Sequence, residues 1–334
     1  MRKSFKEKSP KINDLGLEII ERKDSMKNII LYGAGKRGRA MYAFLKSKGA
    51  NDIITGFCDK KHDEIQKVDD LNVYGIDEVR GKGYLFCITL LDENGRRKIK
   101  DTELVGEKCI DFSDIATHLE CDKITFNREF CAFYHCDDME KYYEDAEDNV
   151  DVFWNENSEF YKMFCMLDLT NVIELACGRG RHVPMYLEKA GRVTLVDILE
   201  KNLDACRKRF ADASDKIYYY ANDGYDLRKL EDSAYSSLFT YDAMVHFEMM
   251  DIYSYLKDIY RCLKPGGRAL FHHSNYTKNY KANFCNAPHS RNFMSRNLFA
   301  YLAYRVGFNV LIQKEIDWFG TPKLDCVTLL EKEM

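Results

Sequence analysis

The sequence has no run of about 18 apolar residues, so no part of it predicts a membrane-spanning helix. Its first residues are charged and carry no apolar core, which predicts no secretory signal and a cytoplasmic protein. No two of its 12 cysteines form a C-x-x-C pair. Several sit in apolar runs (Cys58, Cys87, Cys177, Cys262), where a thiol reads as a reduced, buried small hydrophobe. There is no basic excess: 50 Lys and Arg stand against 54 Asp and Glu, a formal charge of −4. A protein that coats nucleic acid needs the opposite balance. Neither a nucleic-acid partner nor membrane insertion is expected.

What is there is globular material. Hydrophobic residues make up 46% and charged residues 31%, which excludes a disordered chain. The 334 residues correspond to about two domains at ~150 residues each. One cluster (His118, Cys121, Cys131, His135, Cys136) has part of a zinc spacing. Its neighbours are aromatic, so it reads as packing, and no metal is expected.

Strand-like and helix-like segments alternate in two blocks, which predicts parallel, helix-covered sheets. The organisation read from this pattern is a lead-in helix over 1–27, a Rossmann-like domain over 28–118, a helical linker over 119–160 and a second α/β domain over 161–334. The fold class is α/β, with two Rossmann-like doubly wound domains.

The first block holds Gly33-Ala-Gly35-Lys-Arg-Gly38 after an apolar run, with Asp59 ending the next strand. This is the G-x-G-x-x-G pattern in a strand-to-helix setting. The second block holds Glu174-Leu-Ala176-Cys-Gly178-Arg-Gly180 at the end of a strand. Closely spaced glycines let a ligand approach the backbone, and a helix expected over His182–Ala190 would offer its N-terminal amides. Asp197 ends the following strand, 19 residues after Gly178, where an acid accepts bonds from ribose hydroxyls. Asp223 and Gly224 follow the third strand.

From about residue 150 to 334 the chain resembles the class I S-adenosylmethionine (SAM)-dependent methyltransferases. The likeness runs through five blocks in family order: Val172 to His182, Leu195 to Leu203, Ala221 to Gly224, Thr240 to Phe247, and Leu263 to Asn275. It implies SAM as cofactor and an antiparallel last strand. It implies that Glu174, Ala176, Gly178 and Gly180 shape the SAM pocket, that Asp197 holds the ribose, that Asp223 and Gly224 flank the adenine, and that Asp242 borders the methionine end. Leu199 departs from the family, which often has a small polar residue there. The segment 28–115 is similar to small nucleotide-sugar-binding Rossmann-like domains of glycan-modifying enzymes, which makes Gly33, Gly35, Gly38 and Asp59 candidate ligand contacts.

Transfer to a hydroxyl requires a base, and histidine suits the pH. His246, past the fourth strand, is the first candidate; His273 and then His272, on the fifth, follow. Adjacent strand residues face opposite ways, so one of the latter two faces the pocket. Between residues 286 and 296, Arg291 and Arg296 are candidates for binding a phosphate or carboxylate of the acceptor, and Trp318 for stacking on a sugar. No Asp/Asn-Pro-Pro-aromatic box follows the fourth strand, which argues against a nucleic-acid base. The expected function is O-methylation of a sugar, a nucleotide-sugar or a surface-glycan precursor. Two alternatives stand beside it. One is a bifunctional protein with a nicotinamide-dependent oxidoreductase in front; against it, no catalytic Tyr-x-x-x-Lys pair is expected after that glycine turn. The other is a non-catalytic SAM-binding sensor or scaffold.

Overall fold

The computed structural model describes residues 28–137 and 140–334; the expected lead-in helix over 1–27 lies outside the described residues. Two compact units divide between Phe126 and Asn127, inside the stretch read as a linker.

In the first unit the elements are β1 (Ile29–Tyr32), α1 (Lys36–Ser47), β2 (Ile54–Cys58), α2 (His62–Ile65), β3 (Lys67–Val68), β4 (Leu71–Tyr74), α3 (Ile76–Val79), β5 (Leu85–Ile88), α4 (Glu93–Thr102) and β6 (Lys108–Ile110). All four residues of β1 are buried, as in a strand covered on both faces. The strand order is β3-β4-β2-β1-β5-β6, parallel except for β3 with β4. Strand order reverses beside β1, which places the Gly33 turn at the switch point of this sheet. A Cβ on Gly38 would lie 2.0 Å from the Gly33 carbonyl oxygen, so only glycine lets α1 close on the turn. Asp59 accepts the Ala34 amide at 2.7 Å, tying the turn to β2.

Helix α5 (Lys123–Asp137) starts before the division, and its residues from Asn127 onward belong to the second unit. There follow α6 (Glu140–Glu147), α7 (Val150–Phe153), α8 (Glu159–Phe164), β7 (Asn171–Leu175), β8 (Arg192–Asp197), α9 (Glu200–Arg209), β9 (Ile217–Ala221), β10 (Tyr235–Thr240), α10 (Met249–Cys262), β11 (Leu263–Ser274), α11 (Arg296–Val306), β12 (Phe308–Trp318) and β13 (Thr321–Lys332). The order is β12-β13-β11-β10-β7-β8-β9. Strands β11, β10, β7, β8 and β9 run parallel, and β13 is antiparallel to both β11 and β12. This is the expected doubly wound sheet with its antiparallel ending. Apolar layers cover both faces, one around Phe164, Leu195 and Phe239 and the other around Leu238, Leu256 and Phe299.

One expected element is absent. The segment after Gly180 is not an α-helix; it holds a three-residue 3-10 turn, Val183–Met185. Pro184 has no amide to donate, and the His182 ring is held down by the Trp154 indole N–H, which donates to Nδ1 at 3.0 Å. No helix amides are presented there.

Gly38→Ala is expected to destabilise the first unit by about 2 kcal/mol or more, because backbone rather than a flexible side chain must move. Gly35→Ala, where a Cβ would meet nothing within 4 Å, is expected to cost about 1 kcal/mol or less as a lost N-cap preference. Thermal melts of the two variants check the difference.

Candidate active site

In the second sheet the chain leaves β7 for β8 on one side and later fills the other side with β10. The switch point therefore lies between the carboxyl ends of β7 and β10, where ligands bind in such sheets. Both strands end on a non-glycine residue in the left-handed region: Ala176 at φ 59° and Asp242 at φ 54°. Each costs on the order of 1 kcal/mol or more, and such strain collects at functional sites. Gly178, at φ 55°, continues the first turn.

An open cavity lies over these turns. Its sheet side includes Ala176, Gly178, Asp197, Leu199, Gly224 and Asp242, all but Leu199 named from sequence as cofactor contacts. Asp197 organises this edge. One carboxylate oxygen accepts the Gly178 amide at 2.9 Å, and the other accepts the Leu199 amide at 2.9 Å and the Asn202 side-chain amide at 3.1 Å. Burial raises its pKa, against the pull of those donors. Asp242 forms an ion pair with Arg181 at 2.9 Å.

The opposite wall was missed in the sequence. Arg128, Cys131 and His135 of α5 and Tyr143 of α6 line it. The Tyr143 ring would stand 3.2 Å from a Cβ on Gly178, its hydroxyl accepts from Asn202 at 3.0 Å, and the Arg179 guanidinium lies 4.6 Å over its ring. Arg128 pairs with Asp251 and lies 4.6 Å over the Tyr225 ring. The signal for this wall was the aromatic and charged character of the stretch read as a linker.

His246 also lines the cavity. Its Nδ1–H donates to the Ser290 carbonyl at 3.0 Å, which leaves the lone pair on Nε2. Burial first, then the charges of Arg291 and His135, hold its pKa well below the ordinary value. Its ring centroid is 6.2 Å from that of His135, whose Nδ1–H donates to the Cys131 carbonyl at 2.7 Å.

The other expected residues lie elsewhere. Asp223 does not line the cavity; it is exposed and paired with Arg228 at 3.1 Å, while its neighbours Asn222 and Gly224 do line it. Gly180 packs on α9, where a Cβ would meet the Phe210 ring at 2.6 Å. Glu174 is buried, accepting the Tyr186 hydroxyl at 2.7 Å, and its Oε1 has no partner among the described residues. Burial pushes its pKa up to about 8.

His273 is not a base at this site. It is fully buried, its Nε2 meets the Thr328 hydroxyl at 2.9 Å, its ring stacks 3.9 Å from Phe299, and burial pulls its pKa down to about 3. His272 is fully buried between Asp325 and the Asp242 amide. Arg291 is not available to an acceptor, because it is buried and its guanidinium is bound to both oxygens of Asp325. Trp318 packs beside it, 5.0 Å from its guanidinium. Arg296 is exposed and bonds Gln313 at 3.2 Å. Much of the expected acceptor loop is thus core: Asn286, Ser290, Asn292 and Met294 are buried too.

In the first unit, Gly33 takes φ 113°, and Asp59 is spent on the Ala34 and Lys61 amides. Contrary to the sequence reading, a Tyr-x-x-x-Lys spacing does follow that turn, at Tyr42 and Lys46. It lies within α1; Tyr42 is 1% exposed, its hydroxyl donates to Asp70 at 2.7 Å, and burial with that bond raises its pKa to about 12. Among the described residues, no group of three or more His, Cys, Asp or Glu is arranged to hold a metal, and none of the helices is long and apolar enough to cross a membrane.

Residues 172–267 match a family described as a methyltransferase domain. A curated relative, the S-adenosyl-L-methionine-dependent Diels-Alderase iccD of Talaromyces variabilis, is 32% identical over 103 residues, 30% of this chain and 34% of the relative. The chain thus spans about a third of that relative's length. Among solved structures, a putative S-adenosylmethionine-dependent methyltransferase from Listeria monocytogenes is similar at 16% identity and TM-score 0.42, over 53% of this chain and 98% of that one. The [4+2]-cyclase SpnF is similar at 11% identity and TM-score 0.45, over 57% and 82%. The second unit has the strand order that the resemblance to class I methyltransferases implies, and residues 172–267 within it match a methyltransferase domain.

Glu174 generates a prediction on stability. Its unfolded carboxyl ionises near 4.5, while the folded one holds its proton to about 8. The folded state therefore binds more protons in this window, and stability falls as pH rises from about 4.5 to about 8. Glu174→Gln removes that dependence. Without cofactor, the variant is expected to gain on the wild type by several °C in Tm between pH 5 and pH 8.5; parallel melting curves would contradict this.

Proposed function

We propose that the second unit transfers a methyl group from SAM to a hydroxyl of a small acceptor, with His246 taking the proton. The observation that carries this is the placement of a neutral histidine, with its lone pair fixed on Nε2, on the wall of the same cavity that exposes the Gly178 turn. The cavity reaches from the Gly178 turn to His246 and Glu248, so a cofactor on the glycine turn and an acceptor beside His246 would share one opening. Gly178 and Gly224 present bare backbone, Asp197 a buried carboxylate for the ribose, and Asp242 with Arg181 a charged pair for the methionine end. When bound, SAM supplies an electrophilic methyl carbon on a sulfonium. That methyl would pass to the acceptor oxygen, leaving S-adenosylhomocysteine, and Nε2 of His246 would take the acceptor's proton. A weak base suffices, because the oxygen becomes positive as the new bond forms. Alignment of the reacting atoms supplies much of the rate.

The acceptor class is a sugar, a nucleotide-sugar or a glycan precursor. This is supported by the glycine turn of the first unit, whose sequence is similar to nucleotide-sugar-binding domains. The similarity over 103 residues to a SAM-dependent Diels-Alderase favours a second reading, in which SAM is held without losing its methyl.

The test uses the full chain with methyl-labelled SAM and a panel of sugars and nucleotide-sugars. Label is expected in one acceptor class. His246→Ala is expected to lower the rate ~100-fold or more while S-adenosylhomocysteine binding changes less than threefold. Because the pKa of His246 lies well below 6.5, the rate should not fall as pH drops from 7.5 to 6. Tight SAM binding with no label transferred selects the second reading, and an unchanged His246→Ala rate removes His246 as the base.

A further inference from the structure

We infer that His272 and Asp325 are positioning residues that set the strained backbone at Asp242, and through it the charged end of the cofactor site. The inference rests on the reading of the cavity as the SAM site.

The bonding roles are fixed by chemistry. The Asp242 amide can only donate, so Nδ1 of His272, 3.1 Å away, accepts. The proton of the neutral imidazole is therefore on Nε2, which donates to Asp325 at 3.0 Å. Arg291 holds Asp325 from the far side, donating from Nε at 2.9 Å and again from Nη2. Burial alone would raise the Asp325 pKa, but the bond from His272 and the bonds and charge of Arg291 hold it below the usual carboxylate range. The ring of His272 packs against those of Tyr241 and Trp318, with both centroids 4.8 Å away. His272 and Asp325 are both fully buried. A ring packed against two aromatic neighbours and bonded at both nitrogens has one orientation, and it presents one acceptor.

That acceptor meets the amide of a residue whose φ of 54° favours glycine. The left-handed turn carries the Asp242 carboxylate to Arg181 at the cavity wall. With the amide anchored, the carboxylate has a fixed place; without it, the turn can relax and take the carboxylate with it. The chain Arg291–Asp325–His272–Asp242–Arg181 thus links the buried core of β11 and β13 to the cavity. It also explains why Arg291 is buried rather than offered to an acceptor.

Two substitutions separate this role from packing. His272→Asn keeps an acceptor where Nδ1 stands and loses the donor to Asp325. His272→Gln keeps a donor where Nε2 stands and loses the acceptor to Asp242. In titration calorimetry of the full chain with S-adenosylhomocysteine, the Gln variant is expected to bind at least tenfold more weakly than wild type, and the Asn variant within about threefold, at similar Tm. Equal binding by both variants overturns the inference. A wild-type chain that does not bind S-adenosylhomocysteine removes the cofactor reading beneath it instead. Should neither variant fold, nitrogen NMR of the histidine-labelled wild type decides. His272 is expected in the Nε2-protonated form, with its Nδ1 resonance moving when S-adenosylhomocysteine is added; an Nδ1-protonated form or an unmoved resonance overturns the inference.

Discussion

The site depends on how two neighbouring strands stop. β7 and β10 end in left-handed turns at Ala176 and Asp242, and those turns bend the chain away and leave an opening above the sheet. Neither residue is glycine, so each turn must be held against its own preference. The first is tied down through Gly178, whose amide is bound by Asp197 at the end of β8. The second is tied through the amide of Asp242 to His272 on β11. Carboxylates do the holding in both cases, Asp197 directly and Asp325 through an imidazole. One is partly turned to the cavity and the other sealed in the core. The difference follows from sheet position, since β8 ends at the cavity and β13 is covered by the strands and rings around it.

The parts legible in sequence were those written as local backbone chemistry. A strand ending in Gly178 and Gly180 requires a turn, and an acid 19 residues later, at the end of the next strand, must stand beside it. The sheet was legible for the same reason, because β7, β8, β10 and β11 are apolar runs bounded by turn residues. The closing hairpin came with the family resemblance.

What was not legible was burial and pairing between distant residues. Arg291 reads as a solvated or ligand-seeking arginine until Asp325, 34 residues on, is seen beside it. His272 and His273 are indistinguishable by type. Alternation separates their faces, but both faces of β11 are covered, and neither ring lines the cavity. Asp223 reads as a pocket residue until Arg228 is seen to draw it outward. The segment after Gly180 has helical spacing, yet Pro184 and the Trp154–His182 bond give it a turn. The wall made by α5 and α6 was hidden because α5 mixes apolar, aromatic and charged residues around its whole girth. Its amphipathic pattern is too weak to name a buried face, although Arg128, His135 and Tyr143 all reach the cavity.

If the Gly178 turn and the wall from α5 and α6 enclose one cofactor site, a single ligand covers both. Amide hydrogen exchange on the full chain, with and without S-adenosylhomocysteine, reads this out: exchange should slow on binding at residues 176–180, 197–202 and 222–224, and in the same experiment at 128–135 and 143–147. Protection confined to the Gly33 turn, or absent from all of these segments at saturating ligand, would contradict it.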